Sequence, residues 1–153
     1  MARGMAELYK ERNGVCYDNS YALEQFLETL GYEIRHVFWL YPYEKQNFIF
    51  AMISKKSKSH AALEVRTARG WLYIETLSDF IALDSKMTPY TAKDINSIFI
   101  NGQINENTMN PPQYLNKKNF IIYGLYSRNG QLFPPFTIVP DYNVRQLLYN
   151  LFP

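Results

Sequence analysis

Apolar positions between Asp18 and Leu30 recur at helical spacing: Tyr21, Ala22, Phe26, Leu27 and Leu30 share one face, and Gly31 is placed to end the helix. The pattern then changes. Ile34, Val37, Phe38, Trp39 and Leu40 read as a buried strand, and the unbroken run Phe48-Ile49-Phe50-Ala51-Met52-Ile53 as a second. After the lysine-rich loop Lys55-Lys56-Ser57-Lys58 come a strand over Ser59 to Val65 and another over Gly70 to Thr76, joined by a turn at Ala68-Arg69-Gly70. The first half therefore predicts one helix followed by an antiparallel meander.

From Asp84 to Lys118 the chain is richer in Asn, Thr and Pro, with a short helix predicted around Asp94 to Ile98 behind a Thr91 cap. Asn119 to Tyr126 reads as a strand, Asn129-Gly130 as a turn, and Phe133-Pro134-Pro135-Phe136 as a proline-broken segment. Asp141 is placed to cap a last helix carrying Val144, Leu147, Leu148 and Leu151. Strands and helices in this order predict an α+β fold, a helix packed on an antiparallel sheet with a second helix at the C-terminal end. The 153 residues are long enough for one domain with a real core, here expected to span 1–153.

Charge narrows the classes of function. The 16 basic and 14 acidic residues are interspersed, so no basic stripe is available to neutralise a phosphate backbone, and nucleic acid is not an expected partner. No apolar run approaches the roughly 18 residues that span a bilayer, and Met1 to Glu7 lacks the apolar stretch of a secretory signal. The expected setting is cytoplasmic, which also suits an unpaired thiol. One cysteine and two separated histidines form no metal-ligand cluster, and no glycine-rich phosphate loop is present, so neither metal nor cofactor is expected.

The single cysteine carries the most chemistry. Cys16 follows Gly14-Val15 at the start of the first helix, where unpartnered N–H groups and the positive end of the helix dipole favour a thiolate. His60 stands at the mouth of one strand and Glu75 near the end of the next, which supplies a nucleophile, a base and an orienting carboxylate in chain order. His36 is the other candidate base, and strand parity puts Glu64 on the same face as His60.

Three motifs together resemble the transglutaminase-like branch of the papain-type cysteine enzymes: Gly14-Val15-Cys16, His60-Ala61-Ala62-Leu63-Glu64-Val65, and Gly70-Trp71-Leu72-Tyr73-Ile74-Glu75. The resemblance covers roughly residues 9 to 77, with 78–153 completing the sheet and the C-terminal helix. It departs from the family pattern at Glu75, where aspartate is usual, and at Ala62, where tryptophan is usual, which predicts a more open wall beside His60. The resemblance implies Cys16, His60 and Glu75 as catalytic groups, with Asn13, Tyr17 and Trp71 as candidates for substrate binding or the oxyanion site. It also implies a peptide, protein or other amide-bearing substrate, hydrolysed or transferred through a thioester. The alternative is a non-catalytic module that keeps the fold to bind a peptide or protein. Arg12 to Asn19 has a local resemblance to the cysteine motif of arylamine N-acetyltransferases, which implies acyl transfer as a lesser alternative.

Overall fold

The computed structural model describes residues 5–12, 14–54, 56–101, 112, 115, 119–126 and 141–151. A short helix α1 (Met5–Glu11) precedes the longest one, α2 (Cys16–Thr29). They are followed by β1 (Ile34–Tyr41), α3 (Phe48–Ile53), β2 (Lys58–Thr67), β3 (Gly70–Ile74) and α4 (Ala92–Ile100). Then come β4 (Phe120–Tyr123), β5 (Leu125–Tyr126), β6 (Asp141–Tyr142), and α5 (Val144–Leu147), which runs into a 3₁₀ turn over Leu148–Asn150. The predicted Asn129-Gly130 turn and the Phe133 to Phe136 segment lie outside the described residues.

Four strands form an antiparallel sheet in the order β3-β2-β1-β4, with β1 and β2 at its centre. Its two faces follow from strand parity. Ile34, Leu63 and Val65 meet Leu23 and Leu27 of α2 on one face. Val37, Trp39, Ala62, Tyr73 and Tyr123 meet Ala92 and Ile95 of α4 on the other. Both faces are thus covered, which is why β1 is buried from Ile34 to Leu40 and apolar without alternation from Val37 to Leu40.

The long helix begins at Cys16, two residues before the predicted Asp18. Asp18 sits in the first turn, where its carboxylate accepts the Val15 N–H at 3.0 Å. Gly31 ends α2 as predicted: at φ +82° its N–H reaches Glu28 O, and the Tyr32 N–H reaches Leu27 O, closing the last turn. The buried face matches the predicted one only in part: Leu27 packs on the sheet as expected. Phe26 and Leu30 are 59% and 58% exposed, while Tyr17, Ser20 and Glu24 are buried. Polar side chains share the inward side with Tyr17, Leu23 and Leu27 because each has a partner across the interface: Ser20 reaches β2, and Glu24 accepts the Tyr126 hydroxyl at 2.6 Å and a Gln146 side-chain N–H at 3.2 Å.

Two further predictions are corrected. Phe48 to Ile53 is a helix rather than a strand. Asn47 caps it by accepting the Phe50 N–H at 3.0 Å, and the run packs through Ala51 against Phe38, Leu40 and Leu125 while Ile49, Phe50 and Ile53 stay exposed. An unbroken apolar run has no period, so the cap decides. At the C-terminal end Asp141 lies in β6, and the cap of α5 is Asn143, whose side chain accepts the Gln146 N–H. Val144, Leu148 and Leu151 are exposed, and the buried residue of that turn is Gln146. The Thr91 cap stands as predicted, with Thr91 and Asp94 exchanging side chain to backbone hydrogen bonds at the head of α4.

Candidate active site

Cys16 is the first residue of α2. A Cβ on Gly14 would lie 2.6 Å from Asn19 Oδ1 at the end of a side chain and 3.2 Å from Asp18 Cβ, so the incoming chain passes close to the first turn of the helix. The sulfur hydrogen-bonds the His60 ring and receives the backbone N–H groups of Tyr17 and Ala61. His60 comes from β2, two residues past its start, and Glu75 immediately follows β3. The register that pairs Leu63 with Ile74 brings Glu75 across from Ala62, diagonal to His60, and the glutamate reaches sideways to the imidazole.

That reach closes. His60 Nε2 lies 2.9 Å from both carboxylate oxygens of Glu75, which leaves Nδ1 for the thiol. Glu75, 5% exposed, also accepts the Tyr73 hydroxyl at 2.9 Å and the N–H groups of Thr76 and Leu77 at 2.9 and 3.1 Å. Behind the cysteine, the fully buried Ser20 hydroxyl lies 3.0 Å from Ala61 O and 3.1 Å from Thr76 Oγ1.

The electrostatics follow from these contacts. Burial opposes ionisation of Cys16, yet the hydrogen bonds from His60 and from the Ala61 and Tyr17 N–H groups, with the His60 charge, hold the thiol below its ordinary value of 9.0. Burial likewise favours neutral His60. The hydrogen bonds to Cys16 and Glu75, and the charges of both, outweigh it and push the imidazole from 6.5 up to about 9. Both shifts favour the thiolate–imidazolium form of the pair over the neutral one.

The other candidates fall elsewhere. Asn13 lies outside the described residues. The Tyr17 ring is buried with Ala61 and Tyr126 behind Cys16 and stacks on Tyr21, so its contribution to the sulfur is the backbone N–H. Trp71 sits four residues before Glu75, roughly 13 Å along the strand, where its ring covers the Arg35 guanidinium at 4.3 Å. Glu64 is on the His60 face, as parity requires, but it is fully buried in an ion pair with Arg35 at 2.6 Å and accepts the Ala92 N–H. His36 is fully buried against the Tyr126 ring at 4.2 Å, with Nδ1 3.7 Å from Glu24, and it is His60 that bonds the sulfur. The expected opening beside His60 is absent at Ala62, which is itself fully buried.

Tyr73, Thr76 and Ser20 were not singled out from the sequence. Tyr73 stands two residues before Glu75, and Ser20 four residues after Cys16, so strand and helix periodicity place each on the same face as a site residue. Among the described residues, no group of three or more His, Cys, Asp or Glu side chains could hold a metal ion, and no helix is long and apolar enough to cross a membrane. Comparison with protein-family models, curated proteins and solved structures finds no match for this chain.

Proposed function

We propose that this chain is a transglutaminase-like cysteine enzyme that acts on an amide or peptide bond through a thioester acyl-enzyme. One observation carries the reading: a thiol, an imidazole and a carboxylate from three separate segments form a continuous hydrogen-bonded chain. The Cys16 thiolate attacks the carbonyl carbon, and the oxyanion that forms faces the backbone N–H of Cys16, which as the first helical residue has no acceptor within α2. His60 then passes its proton to the departing amine as the C–N bond breaks, leaving a thioester and a neutral ring. That ring next takes a proton from an attacking water or amine, whose oxygen or nitrogen displaces the sulfur. Glu75 holds the imidazole in one tautomer and stabilises its charged form. Water needs no second binding site, so hydrolysis is favoured over transfer.

The pH dependence follows in sign. Thiolate appears as pH rises through the lowered Cys16 value, and the imidazolium that must protonate the amine is lost as pH rises through about 9. Alkylation by iodoacetamide near pH 6 tests this directly. The native thiol is expected to react faster than a free cysteine peptide, since its lowered pKa leaves a larger thiolate fraction at that pH. Cys16→Ala abolishes turnover of an amide substrate, and Glu75→Gln lowers it by roughly 10²- to 10⁴-fold, by analogy with the loss of the orienting carboxylate in serine triads. Should the native thiol resist alkylation until the chain unfolds, the enzyme reading fails and the peptide-binding module takes its place.

A further inference from the structure

A serine inside a helix ordinarily turns its hydroxyl to solvent or back to the carbonyl one turn earlier. Ser20 is fully buried, and its hydroxyl leaves the helix altogether to reach two other segments. It donates to the Ala61 carbonyl at 3.0 Å. With its one proton engaged there, its oxygen accepts from the Thr76 hydroxyl at 3.1 Å.

The two partners are the residues that directly follow His60 and Glu75. Ala61 touches α2 twice, through its N–H to the Cys16 sulfur and through its C=O to Ser20 one turn along the same helix face. Thr76 holds Ser20 through its side chain and Glu75 Oε1 through its N–H, at 2.9 Å. Backbone connectivity alone ties none of α2, β2 and the segment after β3 to the others at this point. One hydroxyl ties all three.

We propose that Ser20 is the positioning residue of this site: by joining the segments that carry the sulfur, the imidazole and the carboxylate, its hydroxyl sets the separation at which the three meet. The assignment rests on the cysteine-enzyme reading. Ser20 touches no reacting atom and acts through Ala61 and Thr76. Loss of its hydroxyl frees the Ala61 carbonyl and the Thr76 side chain together, so α2 and β2 lose one of the three hydrogen bonds that join them beside the thiol.

The test is the pH profile of Cys16 alkylation by iodoacetamide in the full chain. Ser20→Ala and Thr76→Val are each expected to move the profile toward that of a free thiol and to slow labelling near pH 6 by about tenfold, the change that one unit of thiol pKa produces. Thr76→Ser, which keeps the hydroxyl, retains the wild-type profile. Ile95→Val, which removes a methylene from the α4 side of the sheet, lowers stability without moving the profile and so separates positioning from general loosening. If Ser20→Ala does not fold, Thr76→Val alone decides. A wild-type profile shifted to acid with both Ser20→Ala and Thr76→Val unshifted overturns the role of Ser20 and leaves the enzyme reading standing. An ordinary profile in the wild type overturns the enzyme reading itself, and with it this assignment.

Discussion

Cys16 and His60 are shifted in opposite directions, and their effects on stability oppose each other. His60 is raised from 6.5 to about 9 by folding, so its contribution is fully present below 6.5 and is lost as pH rises through about 9. Cys16 is lowered from 9.0, so its contribution is fully present above 9.0 and is lost as pH falls through the lowered value. Between 6.5 and 9.0 the two contributions change with pH in opposite directions, so the pair's net slope is shallower than that of His60 alone. Removing the thiol exposes the imidazole's limb alone. In Cys16→Ala the Glu75 contact remains, and stability is expected to decline more steeply than in the wild type as pH rises above 6.5, measured as urea midpoints at several pH values. Equal slopes for the two proteins would show that His60 and Cys16 do not share a proton in this way. The residue types of this site were readable because nucleophile, base and carboxylate belong to different chemical classes. Tyr73 and Ser20 were passed over because a tyrosine on a strand and a serine on a helix are ordinary until their partners are known.

Glycines mark the points where elements must turn, and two of them carry different loads. Gly31 ends α2 at φ +82°, and a Cβ there would meet nothing within 4 Å, so alanine suffers only the left-handed backbone, about 1 kcal/mol. Gly124 separates β4 from β5 at φ +72°, and a Cβ would lie 2.7 Å from Leu147 N and 2.9 Å from Asn143 O. Gly124→Ala is therefore expected to cost at least about 2–3 kcal/mol, strain plus overpacking, and more than Gly31→Ala. Urea denaturation of both variants checks the order, and equal losses would mean that α5 yields freely to the added methyl group. The predicted strand over Asn119 to Tyr126 was sound in type, and Gly124 divides it because α5 packs against that point. Where prediction went wrong, at α3 and on the face of α2, apolar count outweighed the caps and the buried hydrogen bonds that local sequence does not display.

In the whole molecule the site exists only as a product of folding, because Cys16 and Glu75 lie 59 residues apart and are joined through β2. Denaturing urea is expected to return the Cys16 alkylation profile to that of a free thiol in the same transition that melts the sheet. A thiol that keeps its acid-shifted profile in the unfolded chain would locate the cause in the neighbouring sequence rather than in His60. By itself the sequence determined the α+β class, the strands β1, β2 and β3 one by one, the Thr91 cap, the Gly31 stop and the presence of a thiol, an imidazole and a carboxylate in the first half of the chain, because each of these is written in local period, capping chemistry or side-chain class. Only the tertiary structure decided which histidine meets the sulfur, that Glu64 is taken by Arg35, that Ser20 and Glu24 of α2 turn inward, and that Ser20 bridges three segments. Those outcomes depend on strand register and on partners distant along the chain, and a buried polar group declares its role only when its hydrogen-bond partner is in place.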